Sequence, residues 1–285
     1  MKQKTPQFLK KTEHLISIAG CIICLGILYS TMFKSLVYDW INLPDFSHGF
    51  FIPLISLYVV WERIDKLNNA PIKPSNYGLG IIFLGLVFFF VGNLGGESFS
   101  LRFSFLIVLT GIVVFLLGWD VFKILLFPIL FLIFMIPLPS VIMVKITFPM
   151  QLFASNVAEQ SLQLFGIPVL REGNVIHLAD TSLEVAEACS GIRSLISLLA
   201  LGTIFAYFTK NILWQKTLLI CLCFPIAIFV NAFRVSATGI LANYYGISVA
   251  QGFFHDFSGY ILFIAAFVLM VISGFLLSLL EKLFI

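Results

Sequence analysis

Long apolar blocks, nearly free of charge, recur along this 285-residue chain at about 14–33, 48–61, 78–96, 101–118, 122–143, 191–209, 213–234 and 258–280. A helix needs about 20 apolar residues to cross the hydrocarbon core of a bilayer. Inside that core every backbone N–H and C=O must find its partner within the segment. The blocks therefore predict an all-α polytopic membrane protein with about eight transmembrane helices. Composition leaves little room for anything else. The chain is 60% hydrophobic and 11% charged, with 32 phenylalanines, whereas soluble domains hold roughly 45–50% apolar residues. No small-x-small cleavage site follows the first block, which is expected to stay as an anchor. The block at 48–61 is short. The block at 122–143 contains Pro128, Pro137 and Pro139, which predict a kink or an early end near Ile136-Pro137.

Basic residues concentrate on the cytoplasmic side of membrane proteins. Lys2, Lys4, Lys10 and Lys11 precede the first block, so the N-terminus is expected to be cytoplasmic. Eight spans then put 11 of the 17 basic residues in inner loops or tails and return the C-terminus to the cytoplasm. The largest segment on the outer face is 144–190, an extracytoplasmic insertion between spans five and six. Within 147–165, residues Gln151, Ser155, Asn156, Glu159, Gln160 and Gln163 recur at helical spacing, which predicts an amphipathic helix on the membrane surface or over the bundle. Pro168 to Arg171, the turn-former Glu172-Gly173-Asn174 and Val175 to Leu178 predict a small hairpin, with a further strand at Leu183 to Ala186. No repeat or linker divides the chain, and residues 1–285 read as one domain.

Five cysteines are present. Cys21, Cys24, Cys221 and Cys223 fall inside predicted spans and read as small packing residues. Cys189 alone faces the outer, oxidising side, where a disulfide has no evident second cysteine. It sits in Glu187-Ala188-Cys189-Ser190-Gly191-Ile192-Arg193, at the start of the sixth span. The positive end of a helix dipole and Arg193 one turn on both favour a thiolate, while Glu187 opposes it. The competing reading is a buried cysteine beside a helix cap, with Arg193 neutralising Glu184 or Glu187. Arg234 interrupts an apolar stretch near the outer end of span seven, either as a functional cation or as a side chain snorkelling to the interface. Asn231, one turn earlier, can orient it. A cysteine nucleophile needs a base. His255, before span eight, and His48, at the start of span two, both suit that role, and spacing does not choose between them. His177 reads as a solvated strand residue.

Leu183-Glu-Val-Ala-Glu-Ala-Cys-Ser-Gly-Ile-Arg-Ser194, Asn231-Ala-Phe-Arg234 and His255 together resemble the exosortase/archaeosortase family. Pro44-Asp-Phe-Ser-His-Gly49 and Leu170 to Ile176 extend the likeness across about residues 38–280. The resemblance implies a membrane cysteine transpeptidase. Its substrates would be exported proteins with a C-terminal signal of the PEP-CTERM kind: a short motif, a transmembrane helix and a basic tail. Carried over, Cys189 is the nucleophile, Arg234 stabilises the thiolate or the oxyanion, and His255 is base and then acid. Arg193, His48, Asn231, Glu187 and Ser190 are supporting candidates. The resemblance further implies an inner-membrane location, an active site on the extracytoplasmic side, and a surface glycan or lipid as acceptor.

The alternative is a non-catalytic accessory or transport subunit of exopolysaccharide production. Transporters place polar groups at the midplane of broken, repeated helices, whereas polar residues here gather at span ends. A serine or metal protease would carry Gly-x-Ser-x-Gly or His-Glu-x-x-His, and neither occurs. A quinone-coupled thiol oxidase would need paired outward cysteines. Nothing in the sequence calls for a metal, a nucleotide, another soluble cofactor or a nucleic acid partner.

Overall fold

The computed structural model describes residues 12–179, 181–185, 191–210, 212–246 and 253–284, with side chains at these positions except 12–15, 253–257 and 281–284. The chain divides into two compact units, Met1–Pro139 and Ser140–Ile285.

The first unit contains α1 (Thr12–Leu28), α2 (Ser30–Asn42), a 3-10 segment (Pro44–Phe50), α3 (Phe51–Glu62), α4 (Ile64–Asn69), α5 (Tyr77–Leu94), α6 (Ser98–Leu117), α7 (Trp119–Phe131) and a 3-10 turn (Leu132–Met135). Helices α5 and α6 form a tight hairpin because Gly78, Gly85 and Gly92 recur every seven residues along one face of α5. A Cβ at these positions would lie 2.4 Å from the Phe115 nitrogen, 2.5 Å from Val108 Cγ2 and 2.5 Å from the Leu101 nitrogen. Small residues let two backbones approach where lipid offers no hydrophobic drive for helix pairing. Beneath the outward apolar side chains, Arg102 on α6 is 3% exposed. Its Nη2 donates to Asp39 Oδ2 at 2.6 Å and to Ser35 Oγ at 2.9 Å, both on α2.

Proline chemistry explains the end of α7. Pro128 has no N–H for the carbonyl of Ile124, and Arg63 Nη1 supplies the missing donor at 2.7 Å. Helix α7 ends at Phe131 and the 3-10 turn that follows it stops at Met135, just before Pro137 and Pro139. The carbonyls left there by Met135 and Phe134 accept from Trp40 Nε1 at 2.9 Å and His48 Nε2 at 3.2 Å.

The second unit contains α8 (Ser140–Leu164), β1 (Val169–Glu172), β2 (Val175–Leu178), β3 (Ser182–Glu184), α9 (Ile192–Thr209), α10 (Leu213–Tyr245) and α11 (Phe253–Phe284). The strands form an antiparallel meander in the order β1-β2-β3, with Leu170 opposite His177 and Ile176 opposite Leu183. One face of the meander joins Ala154, Ala158 and Leu162 of α8 and Ala232, Val235 and Ala242 of α10 in a common core. Lys210, just after α9, is buried and donates to the Gly274 carbonyl and the Ser278 hydroxyl of α11.

The architecture is an all-α polytopic membrane fold. Among the described residues, α5, α6, α8, α9, α10 and residues 258–280 of α11 are long and apolar enough to cross a membrane. The pair α1–α2, bent by 64°, makes seven if it is one span. Two expectations change. The block at 122–143 is not one helix, because the prolines divide it between α7, the 3-10 turn and the start of α8. The 147–165 stretch is not a separate amphipathic helix either. It belongs to the 25-residue α8, which qualifies as a span. Its buried face carries Gln151 and Ser155 beside Ala154, Ala158 and Leu162, while Phe148, Phe153 and Leu164 are exposed together with Gln160 and Gln163. A helix facing lipid hides its polar side against protein, the opposite of a helix lying on water. The hairpin stands as expected, and the third strand begins one residue earlier, at Ser182.

Candidate functional site

Three helices of the second unit meet around a small, mainly apolar cavity that holds a few polar groups. Ser194 of α9, Asn231 and Arg234 of α10 and Gly259 of α11 line it, together with the apolar Ala227, Val230, Leu262 and Ala266. Its volume is about 10 Å³, room for roughly one water molecule. Arg234 is half-buried. Its Nη1 lies 3.7 Å from where a Cβ on Gly259 would stand, so Gly259 faces the guanidinium at ordinary contact distance. Arg234 is 21 residues from the start of α10, about 32 Å along the axis at 1.5 Å per residue. That distance is close to the ~30 Å hydrocarbon thickness. Helix α10 does not end there, as the block at 213–234 suggests, but runs on to Tyr245.

The turn that opens α9 is built on the same helix. Gly191, its N-cap, has φ +83°, and a Cβ there would meet Asn231 Cγ at 2.7 Å and Cβ at 2.8 Å. Only glycine fits this close approach in this conformation. Asn231 therefore touches the start of α9 and lines the cavity one turn before Arg234. On the far side of the segment 186–190, Val185 is held by the hairpin turn. Its N–H donates to the Asn174 carbonyl at 2.9 Å, and Asn174 Nδ2 donates to the Val185 carbonyl at 3.2 Å.

The expected site residues divide as follows. Arg234 and Asn231 come together at the cavity. Arg193 is exposed and does not line it; Ser194 does. Cys189, Glu187 and Ser190 lie outside the described residues. So does the side chain of His255, whose backbone belongs to the first turn of α11, four residues before Gly259 and hence on the same helical face. His48 belongs to the first unit, where it donates to Phe134. His177 is half-buried, 3.6 Å from Glu172. Cys21, Cys24, Cys221 and Cys223 carry free thiols inside α1 and α10, and Cys223 is buried beside Gly202. Sequence reasoning does not single out Ser194 or Gly259, since a small residue in an apolar helix carries no signal until its neighbours are known. Gly191 is visible in the sequence only as one member of the Cys-Ser-Gly-Ile-Arg motif.

Fold and cavity together define a polytopic membrane protein with a cationic polar site set among three helices. The sequence profile of the transmembrane exosortases matches residues 40–272, most of the chain and parts of both units. The chain belongs to the transmembrane exosortase family. No curated protein and no solved structure matches it.

Proposed function

We propose that this protein is a cysteine peptidase and transpeptidase. On this reading it cleaves the C-terminal sorting signal of exported proteins at the outer face of the inner membrane, with both termini cytoplasmic and the two units acting as one domain. The observation that carries the reading is that Asn231, Arg234 and Gly259 share one cavity, with Gly191 packed directly on Asn231. Cys189 is two residues from Gly191, and a chain of that length spans at most about 7 Å. Position 255 is one turn from Gly259.

In the proposed reaction His255 takes the proton of the Cys189 thiol, and the thiolate attacks the carbonyl carbon of the scissile peptide. The tetrahedral oxyanion forms beside the Arg234 guanidinium, where a fixed positive charge in a low-dielectric site is most effective. Collapse breaks the C–N bond, and His255 gives the leaving amine its proton. The remaining thioester is then attacked by a glycan or lipid nucleophile, or by water, whose proton passes to His255 and from it to the departing Cys189 sulfur, which releases the thiol. Arg193, exposed at the first turn of α9, suits docking of an acidic recognition motif. Glu187 and Ser190 flank the nucleophile and complete the supporting set.

Mass spectrometry of a co-expressed protein bearing a short Pro-Glu-Pro motif, a hydrophobic helix and a basic tail tests this reading. Wild type is expected to remove the helix and tail, and Cys189→Ala to leave the protein intact. Equal processing by both would refute thiol catalysis. The mass of the new C-terminus distinguishes hydrolysis from transfer.

A further inference from the structure

Hydroxyls on the long helices of the second unit satisfy themselves on the preceding turn. Thr209 on α9, Thr217, Ser236 and Thr238 on α10 and Ser273 on α11 each donate to the carbonyl four residues earlier, at 2.7–3.1 Å. Such back-bonding suits a hydroxyl on a helix in lipid, where no water is at hand to complete it. Ser194 breaks the pattern. It is half-buried in the first turn of α9, and its hydroxyl has no hydrogen-bond partner among the described residues. It lines the cavity that Arg234 and Asn231 also line. A hydroxyl withdrawn from water without a partner is costly, so one held at the wall of a cavity points to an occupant of that cavity.

The size of the cavity decides what that occupant is. About 10 Å³ admits one water-sized oxygen and nothing larger, so a carboxylate, a phosphate or a sugar ring does not fit. Ala227, Val230, Leu262 and Ala266 make the apolar part of the wall, and donors in such a low-dielectric setting act strongly on a developing charge. The Arg234 guanidinium can only donate, and the Ser194 hydroxyl can donate beside it. Two donors from different helices thus share a space for a single oxygen, which is what a tetrahedral oxyanion requires. We propose that Ser194 is a further catalytic residue, whose hydroxyl donates to the oxyanion of the tetrahedral intermediate together with Arg234. The hydroxyl keeps its proton throughout, and no covalent bond to Ser194 forms or breaks. The role rests on the reading of the protein as a thiol peptidase and names the second donor of that site.

The test uses the purified full-length protein in detergent. Its substrate is a protein bearing a short Pro-Glu-Pro motif, a hydrophobic helix and a basic tail, with cleavage followed by mass spectrometry. Removing one donor to an oxyanion costs about 10²–10³-fold in kcat. Ser194→Ala is therefore expected to lower kcat on the order of 100-fold and to leave KM within about twofold. A peptide ending in an aldehyde supplies a second readout. The thiol adds across its C=O, sulfur to carbon and proton to oxygen, and leaves that oxygen where the oxyanion forms. The aldehyde should inhibit Ser194→Ala more weakly by a similar factor. Melting temperature separates this role from a structural one. Ser194→Ala removes a hydroxyl that has no partner, so it should melt at or above the wild-type temperature while losing activity. Wild-type kcat in Ser194→Ala, or equal inhibition of both proteins by the aldehyde, overturns the proposal. A rate loss matched by a fall in melting temperature also overturns it. Wild type that leaves the substrate intact, or Cys189→Ala that cleaves as fast as wild type, refutes the thiol-peptidase reading itself, and the oxyanion role goes with it.

Discussion

Two glycines two residues apart on α5 should respond in opposite ways to the same substitution. Gly78 is buried against α6, and a Cβ there would lie 2.4 Å from the Phe115 nitrogen and 2.6 Å from the Gly111 carbonyl oxygen. Ordinary contact begins at 3.4 Å, so the helices must part by about 1 Å, and the obstacles are backbone atoms that no rotamer change can move. Overpacking costs about 1–3 kcal/mol, and a backbone obstacle places Gly78→Ala at the upper end. The intrinsic preference of a helix for alanine over glycine returns about 1 kcal/mol. Gly80 gains the same preference with nothing within 4 Å of its new methyl group. The difference between the two variants is therefore about 3 kcal/mol, with Gly80→Ala at or above wild-type stability and Gly78→Ala about 2 kcal/mol below it. Reversible unfolding in mixed micelles, read by tryptophan fluorescence, measures both. Equal stabilities would refute close backbone approach as the basis of α5–α6 pairing.

Three further outcomes follow from the first unit. Arg63→Ala leaves the Ile124 carbonyl without a donor and should cost about 1–3 kcal/mol. Adding Pro128→Ala restores an N–H to that carbonyl and should recover much of the loss in the same unfolding assay. Asp39→Ala strands a buried guanidinium, for which about 3–5 kcal/mol is usual. The value should fall at the low end because the Asp39 side chain is 23% exposed, and Asp39→Leu with Arg102→Met should unfold later than Asp39→Ala alone. Glu97 caps α6 by accepting from the Phe99 and Ser100 N–H groups at 2.8 and 2.6 Å. Burial pushes its carboxyl upward, but the bonds from Ser100 and Phe99 and the charge of Arg102 outweigh it and hold the pKa below the usual value. The lowered folded pKa means that the cap's contribution is complete above the unfolded value. It fades as pH falls through the folded one. The loss should be about 0.5–1 kcal/mol for this solvent-screened group. It should appear as faster amide exchange in the first turn of α6 at acid pH, and Glu97→Gln should remove that pH dependence.

The all-α membrane class was legible from the sequence because lipid imposes it: long apolar blocks that must satisfy their own backbone become helices, whatever their neighbours do. The stop at Ile136 was equally legible, since Pro137 and Pro139 cannot donate wherever they are placed. The hairpin around Gly173-Asn174 followed from local turn chemistry. Arg234 and Asn231 were visible as polar residues in an apolar stretch, a cost that stands out in one dimension. Other features depended on what lies opposite. The spacing of Gln151, Ser155 and Glu159 gives an amphipathic helix, but the same pattern serves a helix lying on water and one turning its polar side into protein. The hydrogen bonds of Ser155 to the Gly173 carbonyl and of Arg171 to Glu159 decide between them. Arg193 and Ser194 are adjacent in sequence, and only the packing of α9 on α10 and α11 selects serine for the cavity. Periodicity fixes the angle between side chains on a helix, whereas the partner met at each angle is set by elements far away in the chain.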